Sequence, residues 1–266
     1  MYHLSQINIY PVKSLGCISL RTAYAGEKGL QYDRRWMLVD EANKFITQRE
    51  HPIMATIGVE INENGFSLFQ KSKKHEAYHL PFAIDNGVKN RVTVWDDQCD
   101  VLTLDSEINV WISELLNQVC KFVYMPDDSR RYVDNIYAPG NETVSFADGY
   151  PILIIGEASL SDLNERLETP VPMNRFRPNF VFTGGVAFEE DSWNNFRIGD
   201  AVFNAVKPCG RCVITTIDQE SGNQSKEPLR TLSQYRKTNN NVYFGQNLLV
   251  VKPGKVTIND TLVFIS

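Results

Sequence analysis

Short apolar runs broken by Gly, Asp and Asn dominate the first half of the chain, and that spacing predicts strands. Leu4, Ile7 and Ile9 lead into Tyr10-Pro11-Val12, and further runs cover residues 18–25, 35–40 and 45–47. Ile57, Val59 and Ile61 alternate with polar residues, Asn62-Glu63-Asn64-Gly65 supplies a turn, and Phe66 and Leu68 alternate back, which is the pattern of a hairpin. A second pair, over 92–95 and 101–104, flanks Asp96-Asp97-Gln98. The first half is therefore expected to be a β-barrel or sandwich.

Three helices are legible. Ile108, Trp111, Ile112, Leu115, Leu116 and Val119 recur at helical spacing behind Asp105-Ser106, which can accept the free N–H groups of a first turn. A second helix starts at Ser159, capped by Ser159 and Asp162, with Leu160, Leu163 and Leu167 on one face and an end before Pro170. A weaker third covers 229–235. Strands return over 151–155, 179–182, 201–206, 213–217, 248–251 and 255–265. The polar link Pro126-Asp127-Asp128-Ser129-Arg130-Arg131 places a boundary near residue 125. The expected fold is mainly β with a few helices, divided into units 1–124 and 125–266.

Composition narrows the setting. A chain of 266 residues with 42% apolar and 22% charged residues buries a sizeable core, and a net charge of −5 excludes a generic nucleic-acid or anionic-membrane surface. No run is long and apolar enough to span a bilayer, and no basic-then-apolar leader opens the chain, so a cytoplasmic location is expected. Five cysteines, an odd and sparse set, point to reduced thiols.

The most chemical segment is Lys207-Pro208-Cys209-Gly210-Arg211-Cys212, a thiol pair among cations. Such surroundings bias a cysteine toward thiolate, which binds soft metals. Zinc would need a second ligand pair, and thioredoxin-like chemistry would need a helix after the pair instead of the β-branched run 213–217. The spacing alone leaves a working thiol and an ordinary buried one equally open. His75-Glu76-Ala77-Tyr78-His79 matches a zinc-hydrolase signature, but no apolar helical face surrounds it and no third histidine follows, so a surface loop is expected. Arg175-Phe176-Arg177-Pro178-Asn179 brings two guanidinium groups to the start of a strand, with Pro178 expected to hold Arg177 extended. Lys13-Ser14 and Arg34-Arg35 add donors of the kind a phosphate needs, and Gly245 beside Gln246 and Asn247 suggests backbone closely approaching a ligand.

Lys13-Ser14, Phe176-Arg177-Pro178-Asn179, Phe188-Glu189-Glu190-Asp191-Ser192-Trp193, Ile198-Gly199-Asp200, the Cys209–Cys212 pair with Thr215-Thr216-Ile217-Asp218, Glu227-Pro228-Leu229 and Phe244-Gly245-Gln246-Asn247 occur in one order. That order resembles MOSC-domain proteins, and among them the amidoxime-reducing group and its bacterial relatives. The resemblance covers nearly the whole chain. It implies an N-terminal β-barrel domain followed by a MOSC β-barrel domain, and a molybdenum cofactor, metal and molybdopterin together, ligated by Cys212. It further implies that Lys13, Ser14, Arg34, Arg177, Asn179 and Arg211 bind the pterin and its phosphate, with Asn247 and Asp148 as additions and Arg211 steadying the sulfur. Asp148 joins Cys212 as a catalytic candidate, since the proton needed would come from water or a carboxylate.

The implied reaction is two-electron reduction of a small N-hydroxylated substrate such as a hydroxylamine or amidoxime. No iron–sulfur domain follows Phe264-Ile265-Ser266, so electrons are expected from a separate ferredoxin, flavoprotein or cytochrome. The alternative is a sulfur or cofactor carrier using a Cys212 persulfide, since MOSC domains also end molybdenum cofactor sulfurases. A thiol-bearing β-domain that only binds another protein is the third reading.

Overall fold

The computed structural model describes residues 1–265. Strands dominate it, and nine of them share one sheet. Its order runs Leu262–Phe264, Asn195–Ile198, Ala201–Arg211, Asn241–Lys252, Ile152–Gly156, Phe180–Thr183, His3–Ile9, Ile18–Leu20, with Lys237–Thr238 paired to the fourth. Every pairing in it is antiparallel except that of Ile152–Gly156 with Phe180–Thr183, which the chain reaches through a helical crossover. The first strand, His3–Ile9, pairs across the whole sequence with Phe180–Thr183, matching Ile7 to Phe180 and His3 to Thr183. Thr22–Gly26 likewise pairs with Gly254–Thr257. The predicted units are thus stitched together through residues 3–26.

Two further sheets lie in the first half: Trp36–Val39, Lys121–Tyr124, Asp97–Thr103 and Val88–Val94 in one, and Ile57–Asn62, Gly65–Gln70 and Ala77–Pro81 in the other. Each sheet order has two free ends, so among the described residues no sheet closes on itself by strand pairing. Period-two alternation decides their faces. Ile7, Phe180, Phe182, Phe196, Phe203 and Leu248 bury fully in one core drawn from both halves, while Trp36, Phe66, Leu68 and Phe122 fill a second under helix α1. Each such side chain contributes about 1.5–3 kcal/mol.

Helix α1, Glu107–Leu116, buries Ile108, Ile112 and Leu116 at four-residue spacing. It stops earlier than predicted: Asn117 turns left-handed at φ 50° and leaves Val119 outside the helix and exposed. Helix α3, Leu229–Tyr235, lies where expected. Helix α2, Glu157–Glu165, begins two residues before Ser159. Ser159 is not its cap. Its Oγ lies 2.8 and 2.9 Å from the two carboxylate oxygens of the fully buried Glu190, which also accepts the Gly156 N–H at 3.1 Å. Glu190 therefore satisfies the helix start from a distant turn.

Burial pushes the Glu190 carboxyl up, and these hydrogen bonds offset that only in part. A raised carboxyl keeps its proton in the fold when the unfolded chain has released it, so the linked stability is full at acid pH and is lost as pH rises through the folded-state value. Glu190→Gln is expected to flatten that decline in denaturant titrations run upward from the ordinary 4.5. An unchanged slope would contradict it.

Three further expectations change. Residues 213–217 form a 3-10 turn, Val213–Thr216, in place of a strand. The hydroxyls of Thr215 and Thr216 donate back to the Cys212 and Val213 carbonyls at 3.0 and 2.7 Å, so local side-chain bonds outcompete β propensity. Residues 45–47 make one isolated bridge, Phe45 to Val39, and no strand. His79 lies on the strand Ala77–Pro81, where the expected loop would be, and both it and His75 are exposed. The longest helix has ten residues, and among the described residues no helix is long and apolar enough to cross a membrane.

Candidate functional site

Between the two halves lies a cavity of about 310 Å³, and all nine residues singled out from the sequence line it. Lys13, Ser14 and Arg34 come from the loops after the first strands, and Asp148 from the segment before Ile152–Gly156. Arg177 and Asn179 precede Phe180–Thr183, while Arg211 ends the long strand Ala201–Arg211, Cys212 follows it, and Asn247 on the neighbouring strand pairs with Lys207. Five cations (Lys13, Arg34, Arg177, Lys207, Arg211) face one carboxylate, Asp148, inside a chain of net charge −5. That local inversion of charge suits an anionic ligand.

Backbone geometry marks the same place. Ser14, Arg34 and Arg177 adopt left-handed φ values of 68°, 48° and 55°, each at a cost of about 1–3 kcal/mol for a side chain of this kind. Arg177 is therefore not extended. The Asn174 carbonyl accepts its N–H at 3.2 Å, and that turn overrides the bias set by Pro178. Both Arg34 and Arg177 lie over the Tyr10 ring, at 4.2 and 4.3 Å from its centroid. Arg34 also donates to buried Asp33 at 2.5 Å and to Asn179 Oδ1 at 3.0 Å. Asn179 in turn accepts the Leu153 N–H and donates to the Asn8 carbonyl, which fixes it as a brace for Arg34.

Lys13 is buried, and its ammonium donates to the Phe146 carbonyl at 2.7 Å and to Asp148 Oδ1 at 2.5 Å. Burial drives the lysine down to about 8, despite the neighbouring carboxylate. For Asp148, whose side chain is about half exposed, partial loss of water works against ionisation, but the Lys13 and Arg49 charges and hydrogen bonds outweigh it and hold the carboxyl far below the ordinary range. The loop carrying Asp148 is clamped from behind by buried Arg131, which donates to the Ser145, Ala147 and Asp148 carbonyls.

Arg211, expected at the Cys212 sulfur, meets the other thiol instead. Arg211 Nη1 donates to Cys209 Sγ at 3.0 Å and Nη2 to the Phe176 carbonyl at 2.7 Å. The Cys212 sulfur is met by Arg49, whose Nη2 lies 3.4 Å from Sγ and 2.9 Å from Asp148 Oδ2. Arg175 turns away from the cavity, donating to the Thr215 and Thr216 carbonyls at 3.0 Å each, and so holds the turn that follows Cys212. Gly245 does not line the cavity either. At φ 82° its missing Cβ would lie 2.6 Å from Ile155 Cγ1, so the close approach is to the adjacent strand.

A role for Arg49 stays open in the sequence and Arg131 gives no signal there, because each sits in a polar run with no apolar period beside it. Only folding brings Arg49 to Asp148 and Cys212, 99 and 163 positions away, and Arg131 to Asp97, 34 positions away. Two buried donors here, Arg49 Nη1 and Arg211 Nε, have no partner within the protein. An orphaned donor of this kind costs about 1–3 kcal/mol unless a ligand or water takes it.

This fold and cavity define a MOSC-type protein. The chain belongs to the MOSC family: the MOSC domain profile matches residues 141–263, and that of the MOSC N-terminal beta barrel domain matches residues 1–119. It is 31% identical over 287 residues to mitochondrial amidoxime-reducing component 1 of Mus musculus, covering 98% of this chain and 82% of that protein. Mitochondrial amidoxime reducing component 2 of Rattus norvegicus is 32% identical over 283 residues, 97% of this chain and 81% of that protein. A molybdenum cofactor sulfurase of Oryza sativa subsp. japonica is 32% identical over 262 residues, 91% of this chain but 32% of that longer protein.

Proposed function

We propose that this chain binds the molybdenum cofactor in the cavity at Cys212 and catalyses two-electron reduction of small N-hydroxylated compounds, with electrons supplied by a separate redox protein. One observation carries the proposal: a partly exposed thiol stands on the wall of a cation-lined cavity large enough for a compact ligand. The residues fit the group. Among the described residues no three His, Cys, Asp or Glu side chains converge, so a metal at Cys212 would draw most of its ligands from an organic partner such as a dithiolene. Orphaned arginine donors and the five cations suit its anionic sulfurs and phosphate.

When bound, the cofactor would supply the two-electron chemistry. The chain supplies the rest. Arg34, braced by Asn179, and Arg177 present donors from either side of Tyr10 for the pterin or phosphate, alongside Ser14, Arg211 and Asn247. Lys13 has two of its three N–H groups engaged, which leaves one for the ligand. Asp148 stays ionised between Lys13 and Arg49, so it orients and accepts; it is not the acid. Water and the easily deprotonated Lys13 ammonium are the proton-bearing groups at hand.

Protein made in a host that assembles molybdopterin is expected to carry close to one molybdenum per chain and, with a reduced dye, to turn over an amidoxime or hydroxylamine. Molybdenum without turnover would favour the cofactor carrier, to which the sulfurase likeness points. A Cys212 persulfide without molybdenum would favour the sulfur carrier. Neither metal nor persulfide would leave a binding domain.

A further inference from the structure

We infer that Arg49 is a positioning residue of this site: it ties the Cys212 sulfur, from the second half of the chain, to the Asp148 carboxylate and so fixes where the working thiol stands. The inference rests on Cys212 being that thiol, as proposed above. A single guanidinium nitrogen, Nη2, reaches Sγ at 3.4 Å and Asp148 Oδ2 at 2.9 Å, while Nη1 is buried with no partner within the protein. The plane of the group lies over Trp95, 4.7 Å from the ring centroid, and Trp95 packs on Phe45.

The turn that carries Arg49 is itself pinned. Thr47 Oγ1 accepts the Arg49 N–H at 3.2 Å and donates to Glu50 at 2.5 Å. Gln48 donates to the Ser14 carbonyl at 2.7 Å and accepts from Gln219, on the loop beyond Cys212, at 3.1 Å. Residues 47–50 therefore join a cavity-lining loop of the first half to the segment that follows the thiol. Arg49 has little freedom, and its guanidinium serves both acceptors with one nitrogen while carrying a second donor nitrogen, which the single nitrogen of an ammonium does not supply. Groups that orient a metal-binding residue in this way typically change affinity or activity about 10–100-fold when removed.

The test compares wild type, Arg49→Met and Arg49→Lys. In protein freed of metal, the rate of Cys212 alkylation by iodoacetamide is read by mass spectrometry against Cys17 as internal control. Arg49→Met is expected to change the Cys212 rate about tenfold, since it removes the group that donates to the sulfur and fixes its position, and to leave Cys17 unchanged. In the metal-loaded protein it is expected to lose molybdenum retention or kcat about 10–100-fold, with KM nearly constant. Arg49→Lys keeps the charge without the fork and should fall between the two, so it decides the matter if the methionine variant does not fold. Cys212 reacting at the wild-type rate in a folded variant overturns the inference. Wild-type protein without molybdenum overturns the cofactor reading instead, and the alkylation rates still decide the role of Arg49.

Discussion

Cys212→Ser is expected to leave the fold intact and to strip the protein of molybdenum. The side chain is only partly buried and terminates a strand, so exchanging sulfur for oxygen removes one weak hydrogen bond from Arg49 and little packing. Stability should stay within about 0.5 kcal/mol of wild type, the range of substitutions that create no cavity and strand no charge. The metal is another matter. A serine hydroxyl stays protonated at neutral pH and is a hard donor where a soft thiolate is required, so bound molybdenum should fall at least tenfold, roughly, and dye-linked reduction with it. Metal analysis of the purified variant beside a thermal melt checks both halves of the statement. Wild-type molybdenum in the serine variant would show that the metal is held elsewhere.

Arg175→Met should be the most damaging single change to the fold near the site. Arg175 is buried and donates to the Thr215, Thr216 and Glu227 carbonyls, with Asp218 at 3.2 Å as its counter-charge. Methionine fills similar volume but takes the Arg175 donor from the Thr215 carbonyl and leaves the Thr216 and Glu227 carbonyls with Ser225 alone. Stranding a buried acceptor costs about 1–3 kcal/mol, which in a protein of this size lowers Tm by roughly 2 °C or more. The turn Val213–Thr216 would loosen first, and with it the sulfur of Cys212. Arg175→Lys, able to satisfy part of the set, should recover part of the loss. A melt unchanged in Arg175→Met would mean the turn is held by its threonine hydroxyls alone.

What could be read from the sequence follows from local physics. Alternation at Ile57, Val59 and Ile61 against Phe66 and Leu68 defines a hairpin without outside help, and the structure pairs Ile57–Asn62 with Gly65–Gln70. Ile108, Ile112 and Leu116 define a helical face in the same way. The nine candidate site residues came from the resemblance to a family, and they line one cavity although 234 positions separate Lys13 from Asn247. Where that reading failed, a long-range partner had displaced a local preference. Glu190 took over the capping of α2 from Ser159, and Arg175 together with two threonines folded 213–217 into a turn that β-branched residues alone would extend.

By itself, then, the sequence determined the β-rich class, the hairpins and helical faces, and the thiol with its basic company, because each depends on neighbours a few residues apart. Only the tertiary structure decided which arginine meets which sulfur, that Asp148 is held ionised by Lys13 and Arg49, and that the first strand completes the sheet of the second half. Those outcomes turn on distances across the chain and on burial, which set the strength of every charge and hydrogen bond in the cavity and leave no periodic trace along the sequence.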